Sequence, residues 1–475
     1  MPPFNLDDPF DFYRSLISEK PFELKGTGRL SGQKEQTPLD GEFRFESSVY
    51  LHGRIKGEVK LYPVCSTENL ISKIRIVFEK GYSKIFSIFF NLESKIDDRI
   101  LYLEDIQLRS YEYQDNDTSS KEVISGEFSR LRLGDEKRGY DSVVAWIPNL
   151  GIGDLGYMYP WEFSVKPPVG TADVDLRQIP GYYARFLKLI KDTGGAGITS
   201  VCHQSFSEKQ RPSEIQDFNQ KFFLLVSFAL AKHIYPVAYW LQSWDDNMLL
   251  IDMSRNLIYS EKPSWCPYSS PSRWGTCFGN LLAGYTNKFD RLHSTIEQAI
   301  YMYIAALNSR YFDARVFFLS KAYELYLSEL LEGTGSYAFN RSELKSILVD
   351  FFSAQEGDDA KLILEKLDGK INSFIRKPFK DRIRILFEEQ GIVCDEKLLG
   401  TFVKARHKVV HSLGMLSPGD IKSTRSITYM LRQFEVLTLK MMGYTGEFQD
   451  RFNDYRLTPF AQMLEELTRE TAESD

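Results

Sequence analysis

The chain has few cysteines, no excess of positive charge and no long hydrophobic run. Its five cysteines are scattered and odd in number, which argues against a disulfide framework and favours a reducing compartment. Its net charge of −6 gives no global attraction for nucleic acid, so any RNA-binding surface has to be a local basic patch. The most apolar run, Phe222 to Ala231, is too short to span a bilayer and predicts a buried helix. Because the N-terminus also shows no signal-peptide pattern, we expect a soluble, cytoplasmic protein without a membrane partner.

What remains is an ordinary globular composition on a chain long enough for two or three domains. The 475 residues are 43% hydrophobic and 26% charged. Between residues 1 and 150, apolar and polar residues alternate in short runs rich in aromatic and β-branched side chains, which predicts half-buried strands. We expect a β-rich sensor or docking domain here, with a sandwich-like form or a curled antiparallel sheet. Gly26 and Gly28 are interpreted as hairpin-turn residues, and Tyr113 to Ser120 as an exposed loop.

Residues 151–290 have a mixed pattern and are interpreted as an α/β extension of the sensor region. Ser213 to Lys232 predicts a helix, and Tyr235 to Leu241 and Asn247 to Asp252 predict strands. Cysteine and histidine side chains in this region raise the question of a metal site. Because paired Cys-x2-Cys spacing is missing, we predict neither a metal nor another cofactor. The residues concerned are Cys202, His203, Cys266 and Cys277.

From residue 291 to 475 the apolar period changes to that of helices. Thr295 to Asn308 and Tyr311 to Leu331 predict an antiparallel helix pair, and Glu396 to His411 predicts a third helix. A fourth helix follows, with Ser417 as its N-cap and Pro418 at its first position. Residues of about 341–391 are interpreted as an insertion between the second and third of these helices. The complete chain is therefore predicted to have an α+β fold that ends in an all-α bundle.

The third of these helices ends in a short motif that carries the chemistry of the chain. It contains Arg406, the polar His407 and then His411 within one short stretch of sequence, followed by Gly414. This Arg-x4-His pattern, on the third of four C-terminal helices, resembles the HEPN superfamily, many of whose members are metal-independent ribonucleases. The layout of a β-rich region followed by such a domain is similar to that of the ApeA-type bacterial anti-phage proteins.

Metal-free cleavage of RNA needs a base that takes the proton of the 2′-OH and an acid that protonates the 5′-oxygen leaving group. It also needs a cation that stabilises the charge on the phosphate. Histidine titrates near neutral pH, and arginine offers a permanently charged, forked donor to phosphate oxygens. The resemblance implies that Arg406 and His411 are catalytic and that two copies of the motif meet in a homodimer, with higher oligomers left open. It also implies a supporting role for His407 and tRNA or other structured RNA as the substrate. Glu324, on the second helix, is a candidate for orienting the arginine.

A local basic patch near the motif offers contacts for the RNA backbone. Such contacts would supply affinity and salt dependence without sequence specificity. The candidate RNA-binding residues are Lys404, Lys408, Arg376, Lys377 and Lys380.

The main hypothesis is a ribonuclease that acts in abortive infection and is restrained until an unknown phage-derived trigger meets the N-terminal region. Two other hypotheses remain. In the first, the helical domain is a non-catalytic dimer that binds RNA or protein, and the β-rich domain recognises a ligand. A structural interpretation of the motif, in which Arg406 pairs with a nearby acid and His411 is a cap, also stays open. In the second, the chain is a metal-dependent hydrolase that uses His203. That interpretation lacks the His-x3-His or His-Glu-x2-His spacing of a metal site outside the motif helix, and inside it no glutamate follows His407.

Overall fold

The computed structural model describes residues 21–32, 41–50, 52–53, 56–64, 89–96, 99–116, 119–148, 161–165, 172–178, 196–244, 246–253, 278–281, 284, 293–309, 311–331, 346–347, 350, 377–411, 421–454 and 456–472. The chain divides into two compact units. The first comprises Met1–Val226, His233–Tyr259 and Tyr268–Gly275, and the second comprises Ser227–Lys232, Ser260–Pro267 and Thr276–Asp475. The predicted three-part division at residues 150 and 290 stays a prediction.

Antiparallel strands dominate the first unit, as the alternating sequence predicts. The strands are β1 Phe22–Gly32, β2 Gly41–Tyr50, β3 His52–Gly53, β4 Lys56–Pro63, β5 Phe90–Ile96, β6 Arg99–Asn116, β7 Ser119–Phe128, β8 Arg130–Leu133, β9 Tyr140–Pro148, β10 Trp161–Val165, β11 Ala172–Gln178, β12 Ala196–Gln210, β13 Ala238–Gln242 and β14 Asn247–Asp252. They form one hydrogen-bonded sheet. The strands predicted at residues 235–241 and 247–252 are confirmed as β13 and β14, and both belong to this sheet.

Six of these strands close on themselves instead of forming two stacked sheets. The ring runs β6-β5-β1-β2-β4-β7 and returns to β6. The sandwich-like prediction is therefore wrong, and the curled antiparallel sheet describes this region better. Closure depends on the length of β6, which pairs with β5 over its first half and with β7 over its second half. Phe43, Phe45 and Leu92 are among the fully buried side chains of its core.

Two local predictions in this region are also wrong. Gly26 and Gly28 lie inside β1, paired with β2, and not in a hairpin turn. A Cβ atom at Gly28 would lie 2.6 Å from the carbonyl oxygen of Glu93, so the residue allows a close approach of two backbones. The loop predicted from Tyr113 to Ser120 is instead the end of the β6–β7 hairpin, where Asn116 pairs with Ser119. Polar side chains misled this prediction, because the ladder is made by backbone groups.

Seven helices of eleven residues or more lie within the described residues. They are α1 Pro212–Leu230, α2 His293–Asn308, α3 Phe312–Leu330, α4 Phe379–Glu389, α5 Glu396–His411, α6 Ile421–Met441 and α7 Phe460–Ala472. The helices predicted from residues 213, 295, 311 and 396 are confirmed as α1, α2, α3 and α5. The run from Phe222 to Ala231 is buried, as expected. The predicted cap at Ser417 and Pro418 lies outside the described residues. No helix in the described part of the chain has both the length and the apolar character needed to cross a membrane.

The helices of the second unit pack around the ring of Phe434 in α6. Tyr303 of α2 and Tyr326 of α3 both stack on this ring, each with centroids 5.1 Å from it, and Tyr323 meets it edge-on at 5.6 Å. The hydroxyl of Tyr323 donates a 2.7 Å hydrogen bond to the carbonyl oxygen of Met430. Edge-to-face and offset aromatic pairs stabilise a core beyond the area that they bury. This aromatic centre fixes α2, α3 and α6 as one bundle.

The second unit also contains a short hairpin, so the prediction of an all-α C-terminal domain is wrong. Strands β15 Glu447–Asp450 and β16 Arg456–Pro459 pair between α6 and α7. Asp450 holds the turn, since its carboxylate accepts hydrogen bonds from the Phe452 backbone at 2.9 Å and the Asn453 side chain at 2.8 Å. The overall fold class, α+β, is confirmed.

Buried charges connect this hairpin to the helical core. Arg451 donates hydrogen bonds to both carboxylate oxygens of Glu435, which is fully buried in α6, and the hydroxyl of Tyr303 donates to the same carboxylate. Burial raises the pKa of the Glu435 carboxyl, while Arg451 and Tyr303 act in the opposite direction. A second buried pair joins Arg432 to Asp450 at 2.5 Å. Both pairs cross-link α6 and the hairpin.

Candidate functional site

Helix α5 has one face in the core and one face in solvent, which determines where each motif residue lies. Leu399, Phe402 and Ala405 are buried, and they recur at the three-residue steps of a helix face. Lys404, His407 and Lys408 are exposed, at three- and four-residue steps on the opposite side. Position 411 falls on this exposed face by helical geometry, since it follows Lys404 by seven residues.

Arg406 lies apart from that face, where α5 meets α3. Its guanidinium donates a 2.5 Å hydrogen bond to Oε1 of Glu324, and the two side chains are 17% and 26% exposed. Nζ of Lys321 donates to the other oxygen of Glu324 at 2.7 Å. The structure therefore brings Arg406 and Glu324 together, as the sequence analysis expects, and adds Lys321. The three-residue step from Lys321 to Glu324 on a helix was a signal for this second partner.

Phe379, at the start of α4, forms the other wall around Arg406. The guanidinium carbon lies 4.3 Å from the centre of the Phe379 ring, within the range of a cation–π interaction. Phe379 falls in the stretch interpreted as an insertion, and nothing in the sequence indicated that its ring meets the arginine. Together Glu324 and Phe379 hold the guanidinium in one orientation.

The charge on Glu324 depends on these same contacts. Burial alone would raise the pKa of this carboxyl, but hydrogen bonds from Lys321 and Arg406 outweigh it and leave the pKa below its ordinary value of 4.5. Glu324 is therefore a carboxylate at neutral pH, and Arg406 is balanced by a fixed negative charge. An arginine held in this way is pre-oriented as a hydrogen-bond donor.

Replacing Glu324 by glutamine is expected to produce a stability difference that depends on pH. A carboxyl whose folded-state pKa is lowered stabilises the fold above its unfolded-state pKa and loses that contribution as the pH falls through the folded-state value. We expect Glu324→Gln to lower the free energy of unfolding by about 1 kcal/mol at pH 7, because the pair is partly exposed. The difference should shrink as the pH falls through the folded-state pKa. Urea unfolding of both proteins over a series of pH values from 7 downward measures it; a difference that is the same at every pH would contradict the assignment.

His411 is the last residue of α5, and its side chain lies outside the described residues. The helix is continuous from Glu396 to His411, so positions 406 and 411 are about 140° apart around its axis. One copy of the helix thus does not present both positions on a single face. His407 is exposed, at the edge of the face that carries the lysines.

The predicted basic patch is only partly available to a ligand. Lys404 and Lys408 are exposed, and Lys377 is half-buried. Nζ of Lys380 lies 2.5 Å from a carboxylate oxygen of Glu396, and this partner reduces its value as a phosphate contact. Arg376 lies outside the described residues. The surface that the structure supports best is therefore the exposed face of α5.

Two of the candidate metal ligands, Cys202 and His203, lie in the first unit. Cys202 and His203 are consecutive residues of β12, so their side chains point to opposite sides of the sheet. Cys202 is fully buried, and burial raises the pKa of its thiol to about 12, whereas His203 is exposed. The two do not form a shared ligand pair. Within the described residues, no three His, Cys, Asp or Glu side chains cluster as metal ligands. Cys266 and Cys277 lie outside those residues.

Comparison of the chain with protein-family models, with curated proteins and with solved structures gave no match. The features that bear on function are therefore the geometry around α5 and the resemblance of the Arg-x4-His motif.

Proposed function

We propose that the chain is a metal-independent endoribonuclease of the HEPN type, with its chemistry on α5. The observation that carries this proposal is the placement of the motif helix. It holds Arg406 between Glu324 and Phe379 while exposing Lys404, His407 and Lys408. A fixed arginine and two exposed lysines on one helix suit a polyanionic substrate, and RNA supplies both the phosphate and the 2′-OH nucleophile.

In the proposed reaction the 2′-OH of the substrate attacks the adjacent phosphorus and the bond to the 5′-oxygen breaks. A base removes the proton of the 2′-OH and an acid delivers a proton to the departing 5′-oxygen; His411, contributed by both copies of a dimer, supplies the base and the acid. Arg406 donates hydrogen bonds to the phosphate oxygens as negative charge develops. The products are a 2′,3′-cyclic phosphate and a 5′-OH end. His407 supports this site, and Lys404 and Lys408 contact the RNA backbone. By resemblance the substrate is tRNA or another structured RNA.

We further propose a homodimer, because in the family that the motif resembles the site forms where two copies of the motif meet. Positions 406 and 411 are about 140° apart on one helix, which supports a site that a second copy completes. The layout resembles that of anti-phage proteins, so we further propose that the enzyme acts in abortive infection. Its first unit would restrain the second until a phage-derived trigger arrives.

The experiment that tests this function is cleavage of tRNA and total RNA by the purified full chain, with EDTA present. Cleavage that persists in EDTA and leaves cyclic-phosphate ends supports the proposal. Cleavage that EDTA abolishes, or that leaves 3′-OH ends, would favour a metal-dependent hydrolase.

A non-catalytic binding module is the second candidate function. The observation that favours it is that Glu324 and Phe379 already engage the Arg406 guanidinium, as in a purely structural ion pair. In that case the exposed face of α5 would retain RNA without cutting it. Substitution of Arg406 would then weaken RNA retention slightly, and the wild type would show no cleavage.

A further inference from the structure

A cavity of about 370 Å³ lies in the first unit, beside the N-terminal half of α1. Part of its lining, the amide wall, consists of the side chains of Gln216, Asn219 and Gln220 on α1. Another part, the charged wall, consists of charged residues of β6, β8 and β14 together with Glu136. Small-molecule sites in proteins begin at about this volume and combine a preformed cleft with a few polar groups. Nothing in the proposed ribonuclease chemistry uses this cavity.

The amide wall is held in place by hydrogen bonds behind it. Nδ2 of Asn219 donates to Oε1 of Gln204 at 3.0 Å and to the carbonyl oxygen of Ile215 at 2.9 Å. Nε2 of Gln204 donates in return to Oδ1 of Asn219 at 2.5 Å, and both side chains are fully buried. Since these bonds fix the helix against the sheet, Gln216 and Gln220, one turn apart, are presented in a constant position.

The charged wall carries more negative than positive charge. Arg132 forms ion pairs with both Glu104 and Glu136, and Nε of Arg130 lies 3.5 Å from Asp252. Three carboxylates thus face two guanidinium groups, which leaves a net charge of −1 in the cavity. Arg132 is shared by Glu104 and Glu136, so these two carboxylates together carry one more charge than the arginine that they share. Glu136 is the more exposed of the two, at 48% against 20%, so it is the one that a further partner can reach.

We propose that this cavity binds a small organic cation that bears a guanidinium or ammonium group. Glu136 pairs with the positive group, and the amides of Gln216 and Gln220 supply hydrogen bonds to the polar remainder of the ligand. An anion is disfavoured, because it would meet the surplus carboxylate while the two arginines keep their own partners.

Arginine and citrulline are the probes for the test, since they differ chiefly in the charge of one planar group. Calorimetric titration of the full chain at low salt should give a dissociation constant for arginine about tenfold lower than for citrulline. Glu136→Gln should weaken arginine binding by roughly two- to fivefold, as expected for a half-exposed ion pair. Glu127→Gln is the matched control: Glu127 pairs with Arg109, is similarly part-exposed and lies outside the cavity. It should leave arginine binding unchanged.

Four results would overturn the proposal. Equal affinity for arginine and citrulline would remove the charge selectivity, and tighter binding of inorganic phosphate would reverse its sign. An unchanged affinity in Glu136→Gln, or an equal loss in Glu127→Gln, would place the binding elsewhere. Because thermal unfolding of each variant is measured alongside, a fold defect is distinguishable from the loss of a ligand contact. None of these outcomes depends on whether the second unit cleaves RNA.

Discussion

Replacing Arg406 by alanine is expected to lower RNA cleavage at least about 100-fold, which is the usual cost of removing one donor that stabilises developing charge. The side chain is held by Glu324 and Phe379, so its removal takes away a pre-oriented cation and not a mobile one. Arg406→Lys should recover little of the activity, because an ammonium group does not reproduce the planar fork of the guanidinium. The initial rate of tRNA cleavage measures both variants.

The matched control is Arg456→Ala. Arg456 also lies in the second unit and pairs with a carboxylate, Glu466, but it is 62% exposed and distant in sequence from the motif. It should cleave RNA at the wild-type rate. Full activity in Arg406→Ala with an unchanged thermal midpoint would show that the arginine has only a structural role. A loss of RNA retention of the same size in Arg406→Ala and Arg456→Ala would point to general charge effects.

The largest effect on stability is expected for Arg451→Met. This change leaves the Glu435 carboxylate fully buried without its main cationic partner, since only the hydroxyl of Tyr303 remains to donate to it. Breaking a buried ion pair from one side typically costs about 3–5 kcal/mol. Urea unfolding, followed by a signal from the helical unit, should show a loss of this size.

The double variant Glu435→Leu with Arg451→Met separates the cost of an unpaired charge from the net value of the pair. Both charges are then gone, and apolar side chains fill the space, so most of the lost stability should return. The cycle of single and double variants would show strong coupling between the two sites. If the double variant were as unstable as the sum of the single variants, the two residues would be energetically independent and the buried pair would not be the link between α6 and the hairpin.

Much of the local structure could be predicted from the periodicity of the sequence. The motif helix begins at Glu396 and reaches His411 as predicted, and α2, α3, β13 and β14 lie where their apolar patterns placed them. These elements each bury one face, so the spacing of their apolar residues carries the information. Glu324 was also a candidate for orienting Arg406, and the two side chains are hydrogen-bonded in the structure.

The remainder could not be predicted, because it depends on pairings that are distant in sequence. The ring of six strands closes through the two halves of β6, and alternation alone does not specify which edges meet. Glu435 lies in α6 among polar residues that a surface helix would also carry. Its partners Tyr303 and Arg451 are in different elements of the chain. The contact between Phe379 and Arg406 also joins two different helices, and the spacing of residues in the sequence does not predict it.

The most direct test of the central proposal is RNA cleavage in EDTA by the wild type beside His411→Ala, with analysis of the product ends. His203→Ala serves as the control, because His203 is an exposed histidine of the first unit and the residue that a metal-dependent hydrolase would use. We expect the wild type and His203→Ala to cut RNA and leave 2′,3′-cyclic phosphates, and His411→Ala to lose cleavage. Equal cleavage by the wild type and His411→Ala would contradict the proposal and make the motif structural.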